Sequence, residues 1–171
     1  MKQEVEILYP NKDKLNNSLK DMIFNLNESN QPALGALKTI EYLQNLYVQS
    51  LFCAYTFAEN QLSSFAFVMN EKSTYKSPNY LYFKNKYSHF LYVDRIAVAN
   101  LHQRKGIGSL LYRNIYQLAI NNNVPLCCEV NTKPRNDQSI DFHQKNNFAI
   151  IEEVPFGNKM VAMMVKKWFV I

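Results

Sequence analysis

The stretch "FLYVDRIAVANLHQRKGIGSLLYRNIYQLAI", residues 90–120, decides the architecture. Its first third is a run of apolar and β-branched residues that reads as a buried strand. Its last third places Ile107, Leu110, Leu111, Ile115, Leu118 and Ala119 on one face of a helix. Between them stand Gly106 and Gly108, half of the four glycines in the chain, behind the basic pair Arg104 and Lys105. A strand, a glycine turn and a helix form a natural anion cradle. The first N–H groups of a helix lack internal partners, and the macrodipole adds partial positive charge there. Absent β-carbons at Gly106 and Gly108 are expected to admit an anion to those amides, with Arg104 and Lys105 adding full charges.

Two other phosphate loops fit less well. A P-loop needs Gly-Lys-Ser/Thr, whereas Lys105 precedes the glycines. The dinucleotide fingerprint needs a third glycine where Leu111 stands, although Glu129 does lie at a strand about twenty residues on.

Working outward, "LCCEV" (126–130) reads as the next strand, so residues 89–131 form a βαβ unit with parallel neighbours. Upstream, "EVEILYP" reads as a strand, and Leu15, Leu19, Met22, Ile23 and Leu26 as a helix stripe capped by Asn11 or Asp13. Leu34, Leu37, Ile40, Leu43 and Tyr47 mark a second helix. "LFCAYTFAE" and "LSSFAFVM" read as a hairpin around "NQ", followed by a loop over 71–88. Downstream, "NDQSIDFHQKN" reads as a short helix capped by Asn136, and "FAIIEEV" with "MVAMMVKKWF" as a hairpin through "PFGN". The expected order is β-α-α-β-β-β-α-β-α-β-β, an α/β fold with a mixed sheet.

The 171 residues and 20.0 kDa suit one domain over 1–171, and 47% hydrophobic against 19% charged residues is a globular balance. No apolar run approaches the roughly 20 residues of a membrane span, and no signal-like segment opens the chain. The expectation is a complete cytoplasmic protein with no membrane partner. The net charge of +5 and pI of about 9.0 fit a solvated surface or a phosphate-bearing ligand. Cys53, Cys127 and Cys128 lack metal or disulfide spacing, so no metal site is expected. They read as buried thiols, with a cysteine nucleophile paired to His143 as the alternative. The series Tyr75, Tyr80, Tyr82, Phe83, Tyr87, Phe90 and Tyr92 raises a single-stranded nucleic-acid module as an alternative, but the RNA-recognition signature is absent. Core packing is the expectation, and no nucleic-acid partner is expected.

"QRKGIG", Gln103 to Gly108, resembles the pyrophosphate loop of the GCN5-related N-acetyltransferases (GNAT), Gln/Arg-x-x-Gly-x-Gly/Ala. "EVNTKPRNDQSIDFHQKNNF", 129–148, is similar to the same family's later segment, where a strand leads to Asn and a short helix carries an aromatic or His ahead of Gly-Phe. The resemblance implies a twisted mixed sheet whose central parallel strands splay, with acetyl-CoA as acyl donor in the opening. It implies that pantetheine bonds backbone around Ile96, Ala97 and Val98. The pyrophosphate would rest on Gln103, Arg104, Lys105, Gly106, Ile107, Gly108 and Ser109, and Asn131, Asn136, Ser139 and His143 would line the cofactor's arm. The acceptor implied is an amine, small or peptidic, and a homodimer is possible for the family. A CoA binder without catalysis, or with another acyl group, is the alternative within the fold. Two positions depart from the pattern: His143 stands where Tyr is common, and Asn147 replaces Gly before Phe148.

The implied chemistry needs a base for the amine, a donor for the oxyanion and an exit for the thiolate. His143 is the candidate for the leaving group. Glu129 and Asp94, the carboxylates on the central strands, are base candidates or salt-bridged to Arg95 and Arg135, and a water chain could replace either as base. A backbone N–H near Ile96–Val98 could serve the oxyanion.

Overall fold

In the computed structural model, which describes residues 4–167, strands from residue 6 to residue 166 lie in one seven-stranded sheet. The elements are β1 (Glu6–Leu8), α1 (Asn17–Glu28), α2 (Ile40–Gln49), β2 (Phe52–Ala58), β3 (Gln61–Asn70), α3 (Pro78–Lys86), β4 (Leu91–Val98), α4 (Ile107–Asn121), β5 (Leu126–Lys133), α5 (Asp137–Lys145), β6 (Ala149–Phe156) and β7 (Lys159–Lys166). The sheet order is β1-β2-β3-β4-β5-β7-β6, antiparallel at every step except β4–β5. The mixed α/β architecture and the parallel central pair match the sequence reading.

Each sheet face carries its own core. Leu19, Ile23 and Leu26 of α1, Leu43 and Tyr47 of α2, and Tyr80 and Phe83 pack on one face with Phe65, Phe67, Tyr92 and Cys127. Leu111, Tyr112, Ile115 and Ala119 of α4 and Ile140 of α5 pack on the other with Val68, Val93 and Cys128. Adjacent Cys127 and Cys128 thus enter opposite cores, as strand alternation requires. Full burial of side chains of this size contributes about 1.5–3 kcal/mol each.

Several local expectations shift. The cap of α1 is Asn16, whose side chain accepts from Leu19 N at 2.8 Å, while Asp13 instead accepts from Tyr9 N at 2.8 Å. Helix α2 begins only at Ile40, capped by Thr39, so Leu34 and Leu37 belong to the preceding loop. The first hairpin turns at Glu59–Asn60, both with positive φ, one residue earlier than "NQ" suggests. The terminal hairpin forms through Gly157–Asn158, its second strand ending at Lys166, and the expected continuation over 168–169 lies outside the described residues.

The largest difference is α3, where the sequence suggested a loop. Pro78 occupies its first turn and Lys84 and Lys86 its last, the favoured ends for proline and for positive charge. Its aromatic content masks the helical period, because only Tyr80 and Phe83 are buried. Tyr80 anchors the element by donating its hydroxyl to Asn70 O at 2.8 Å and Ser73 O at 3.2 Å.

Candidate active site

Strands β4 and β5 pair only at Leu91↔Leu126 and Tyr92↔Cys127, then part. From Val93 onward one edge of β4 has no strand partner, and a cavity of about 1090 Å³ opens in the gap. A bulge helps to shape it. Arg95 pairs with Phe67 and Val93 with Val68, so Asp94 is the extra residue. The bulge resets the alternation. Val93 joins the α4-side core, while Arg95 reaches back to α1 on the other side.

Beyond Val98 the chain makes a 3-10 turn at Asn100–His102, then the loop that starts α4. Gln103 fastens it by donating from Nε2 to Val98 O at 3.2 Å and to Asn100 Oδ1 at 3.0 Å. Arg104 and Gly106 both have positive φ, 60° and 82°. Gly106 is the helix cap, and a β-carbon there would meet nothing within 4 Å. Its absence serves the left-handed turn. At Gly108 the missing β-carbon also makes room for packing. A β-carbon there would lie 2.8 Å from Phe142 Cζ and 3.5 Å from Val98 Cγ2.

The cavity brings together Asp94, Ile96, Val98, Gln103, Arg104, Gly106, Ile107, Gly108, Ser109, Glu129, Asn131, Asn136, Ser139 and His143. Lys105, which is exposed, and Ala97, whose side chain is buried in the α1-side core, do not line the cavity; the expected contact at Ala97 is through its backbone. Asn136 caps α5 by accepting from Ser139 N at 3.1 Å, and Asn147 takes φ 65°, the left-handed ending that its position requires.

His143 is 4% exposed. Its Nδ1 lies 2.7 Å from Ser139 O, a group that only accepts, so Nδ1 carries the proton. Nε2 is then the acceptor for the Tyr112 hydroxyl at 2.7 Å. Burial lowers the His143 pKa, only partly offset by the Ser139 carbonyl, and keeps the ring neutral. Neither ring nitrogen bonds a cysteine. All three thiols are buried and held protonated by that burial, so the cysteine–histidine alternative loses its geometry.

The carboxylates occupy the opposite face. Asp94 Oδ2 pairs with Arg95 Nε at 2.9 Å, both buried. Arg95 Nη1 also donates to Asn27 Oδ1 at 2.8 Å and Gly35 O at 3.3 Å, tying β4 to the α1–α2 loop. Arg135 pairs with Asp137 on the exposed start of α5, not with Glu129. Glu129 Oε1 accepts from Asn79 Nδ2 at 2.9 Å, while Oε2 and the neighbouring Tyr92 hydroxyl are buried without a hydrogen bond of ordinary geometry. Burial first, then the Asp94 charge, pushes the Glu129 pKa up to about 8.

Four of the seven rings of the aromatic series are core, while Tyr75, Tyr82 and Tyr87 are partly buried against it. Tyr80, Phe83, Phe90 and Tyr92 are fully buried and touch one another, which removes them as a stacking platform for bases. Among site residues, Tyr112 and Asn79 escaped the sequence reading. Tyr112 lay beside an aliphatic helix stripe as one more apolar ring, and Asn79 stood in an expected loop. No described helix is long and apolar enough to cross a membrane, and the described residues contain no cluster of three or more metal-ligating side chains.

Residues 79–148 match the family model described as acetyltransferase (GNAT) family. An acetyltransferase of the GNAT family from Streptococcus pneumoniae is similar in structure, with 16% identity, coverage of 96% of this chain and 98% of that one, and a TM-score of 0.66. An acetyltransferase from Bacillus subtilis in complex with CoA shares 14% identity over 98% of this chain and 100% of its own, with a TM-score of 0.61. The ribosomal-protein-S18-alanine N-acetyltransferase from Escherichia coli shares 13% over 95% and 92%, with a TM-score of 0.64. No curated protein matches the chain significantly. The chain thus has the GNAT fold along nearly its whole length, and the segment carrying its glycine turn, both carboxylates and His143 matches the GNAT acetyltransferase family.

Proposed function

We propose that the protein is an acetyl-CoA-dependent N-acetyltransferase that moves the acetyl group directly to a primary amine. The observation that carries this reading is the gap between β4 and β5, with a left-handed glycine turn and helix start on one side and a buried carboxyl of raised pKa on the other. The amides of Ile107, Gly108 and Ser109, in the first turn of α4, would hold the diphosphate. The unpaired edge of β4 from Val93 would take the pantetheine as an added strand, with Asn131, Asn136 and Ser139 on its far side. A backbone N–H of that edge would stabilise the oxyanion.

On the amine side, Glu129 would take the proton, because a base is most useful with a pKa near the working pH. Asp94, paired with Arg95, would help to attract the amine rather than accept its proton. On the thiol side, His143 would position the Tyr112 ring rather than protonate the thiolate, since both its nitrogens are engaged and the Tyr112 proton points to Nε2. A thiol of pKa about 8.5 leaves readily, so this help is modest. The protein would work in the cytoplasm, where buried free thiols persist.

The test is direct. Acetyl-CoA at about a hundred times its Kd should stabilise the fold by about 2.7 kcal/mol. A panel of amines should then release free thiol. Failure of acetyl-CoA to shift the melting temperature would overturn the reading.

A further inference from the structure

Two carboxyl groups meet at the gap, Asp94 from β4 and Glu129 from β5, and one short segment of chain touches both. Tyr75 lies against Asp94, where burial and then the Asp94 charge hold its hydroxyl protonated. Four residues on, at the start of α3, Asn79 Nδ2 donates to Glu129 Oε1 at 2.9 Å. Tyr75, Ser77 and Asn79 all line the cavity. The remaining groups around Glu129 are Arg95 and Tyr92 of β4, and Cys128 with Tyr112 through the sheet; the facing residue of β7 is apolar Met163.

Arg95 is the one cation among these groups, and Asp94 already holds it at 2.9 Å. Next to Glu129 there are thus two acids and one cation; the other cations lining the cavity, Arg104, Lys145 and Lys159, are not among the groups acting on Glu129. Glu129 is held by Asn79 on Oε1 and lies beside the Tyr92 hydroxyl, and no cation bonds its buried Oε2.

We propose that segment 75–79 is the acceptor-selecting element: it holds Glu129 and Asp94 together as a seat for one ammonium group and rejects amines with a carboxylate on the adjacent carbon. The inference rests on the acetyl-transfer reading above. An entering R–NH3+ pairs with the Glu129 carboxylate and passes it one proton, leaving R–NH2. The nitrogen lone pair forms the N–C bond, and the C–S electron pair departs on sulfur. The amide nitrogen has then lost two protons: one ends on the thiolate, the other leaves Glu129 for water. A free α-amino acid would bring a further anion beside Glu129 and Asp94. A peptide N-terminus or a simple alkylamine carries no such anion.

Matched triplets separate these sources: an arylalkylamine such as 2-phenylethylamine, the free amino acid phenylalanine and its amide, with parallel aliphatic and basic triplets. Thiol release is followed from pH 6 to 9 for the native protein and for Asn79→Ala, after each has been shown to be protected by acetyl-CoA. In at least one triplet, amine or amide should exceed the free acid in kcat/KM by at least about 30-fold, since like charges brought together are costly. Faster amine than amide would point to a small-molecule acceptor, and the reverse to a peptide N-terminus. In Asn79→Ala the lost donor to Glu129 should move the rising limb of the pH profile to higher pH and narrow the amine-to-acid ratio, with acetyl-CoA protection unchanged. Equal use of free acid and amide, an unmoved pH limb, or no turnover of any triplet by an acetyl-CoA-protected protein would each overturn the proposal. Loss of native acetyl-CoA protection would instead overturn the reading beneath it.

Discussion

The two faces of the central gap are built on different principles. On the α4–α5 face, the recognition surface is mostly backbone: a left-handed glycine at position 106, the first turn of α4 and the free edge of β4. Side chains there serve packing, as Phe142 does against Gly108, or lock one another, as His143 does with Tyr112. On the α1–α3 face the surface is side chain throughout, with Asp94, Arg95, Glu129, Asn79 and Tyr75 converging from three separate stretches of the chain. Backbone recognition suits a ligand that does not vary. Side-chain recognition suits one that differs from protein to protein, because single substitutions can change it.

That contrast can be broken most sharply at Glu129. Glu129→Gln keeps the shape and the Asn79 contact but removes the base, so kcat/KM should fall by about 10²–10⁴. A fall below tenfold would show that proton removal lies elsewhere. The same substitution has a signature in stability. The folded-state pKa of Glu129 is raised to about 8, so its contribution is present in full at low pH and is lost as pH rises through that value. Melting curves of Glu129→Gln and native protein should agree near pH 4 and diverge toward pH 9, with the variant the more stable. Parallel curves would contradict the raised pKa.

On the other face effects should be smaller. Tyr112→Phe and His143→Gln should each slow turnover by about tenfold, with the amine KM unchanged, because thiolate departure needs little help. His143 is held neutral by burial, so the native fold should lose stability as pH falls below about 6.5, the ordinary histidine pKa. His143→Gln should flatten that fall. The mildest case is Gly108→Ala, whose methyl must push the Phe142 ring aside. A destabilisation of about 1 kcal/mol is expected, with acetyl-CoA affinity nearly unchanged. A large loss of affinity would show that the missing β-carbon at Gly108 matters for access to its amide and not for packing alone.

The same contrast explains what was legible in the sequence. Backbone recognition leaves local marks: a glycine where φ must be positive, an Asn136 cap three residues before the amide it accepts, an Asn147 ending a helix. Each lies within a few residues of its partner, and each could be read. The side-chain face leaves no such mark. Asn79 meets Glu129 across fifty residues, and Arg95 meets Asn27 across sixty-eight. Polar residues at those separations have no period to follow. Helix α3 was hidden for a related reason. Tyrosine and phenylalanine suit strand and helix alike, and Tyr80 and Phe83 alone face inward, too few to set a 3.6-residue rhythm. Tyr112 was concealed by its neighbours, since one ring beside an aliphatic stripe looks like packing until its hydroxyl is seen on His143.

The division of labour between the two faces is tested most directly by calorimetric titration of acetyl-CoA into three proteins: native, Gly106→Val and Glu129→Gln. Valine at position 106 must adopt φ near 82°, a strain of about 1–3 kcal/mol, and would disturb the turn that presents the helix amides. Binding should weaken by tenfold or more in Gly106→Val and remain within about twofold of native in Glu129→Gln. Equal losses in both, or undiminished binding by a folded Gly106→Val, would contradict the account.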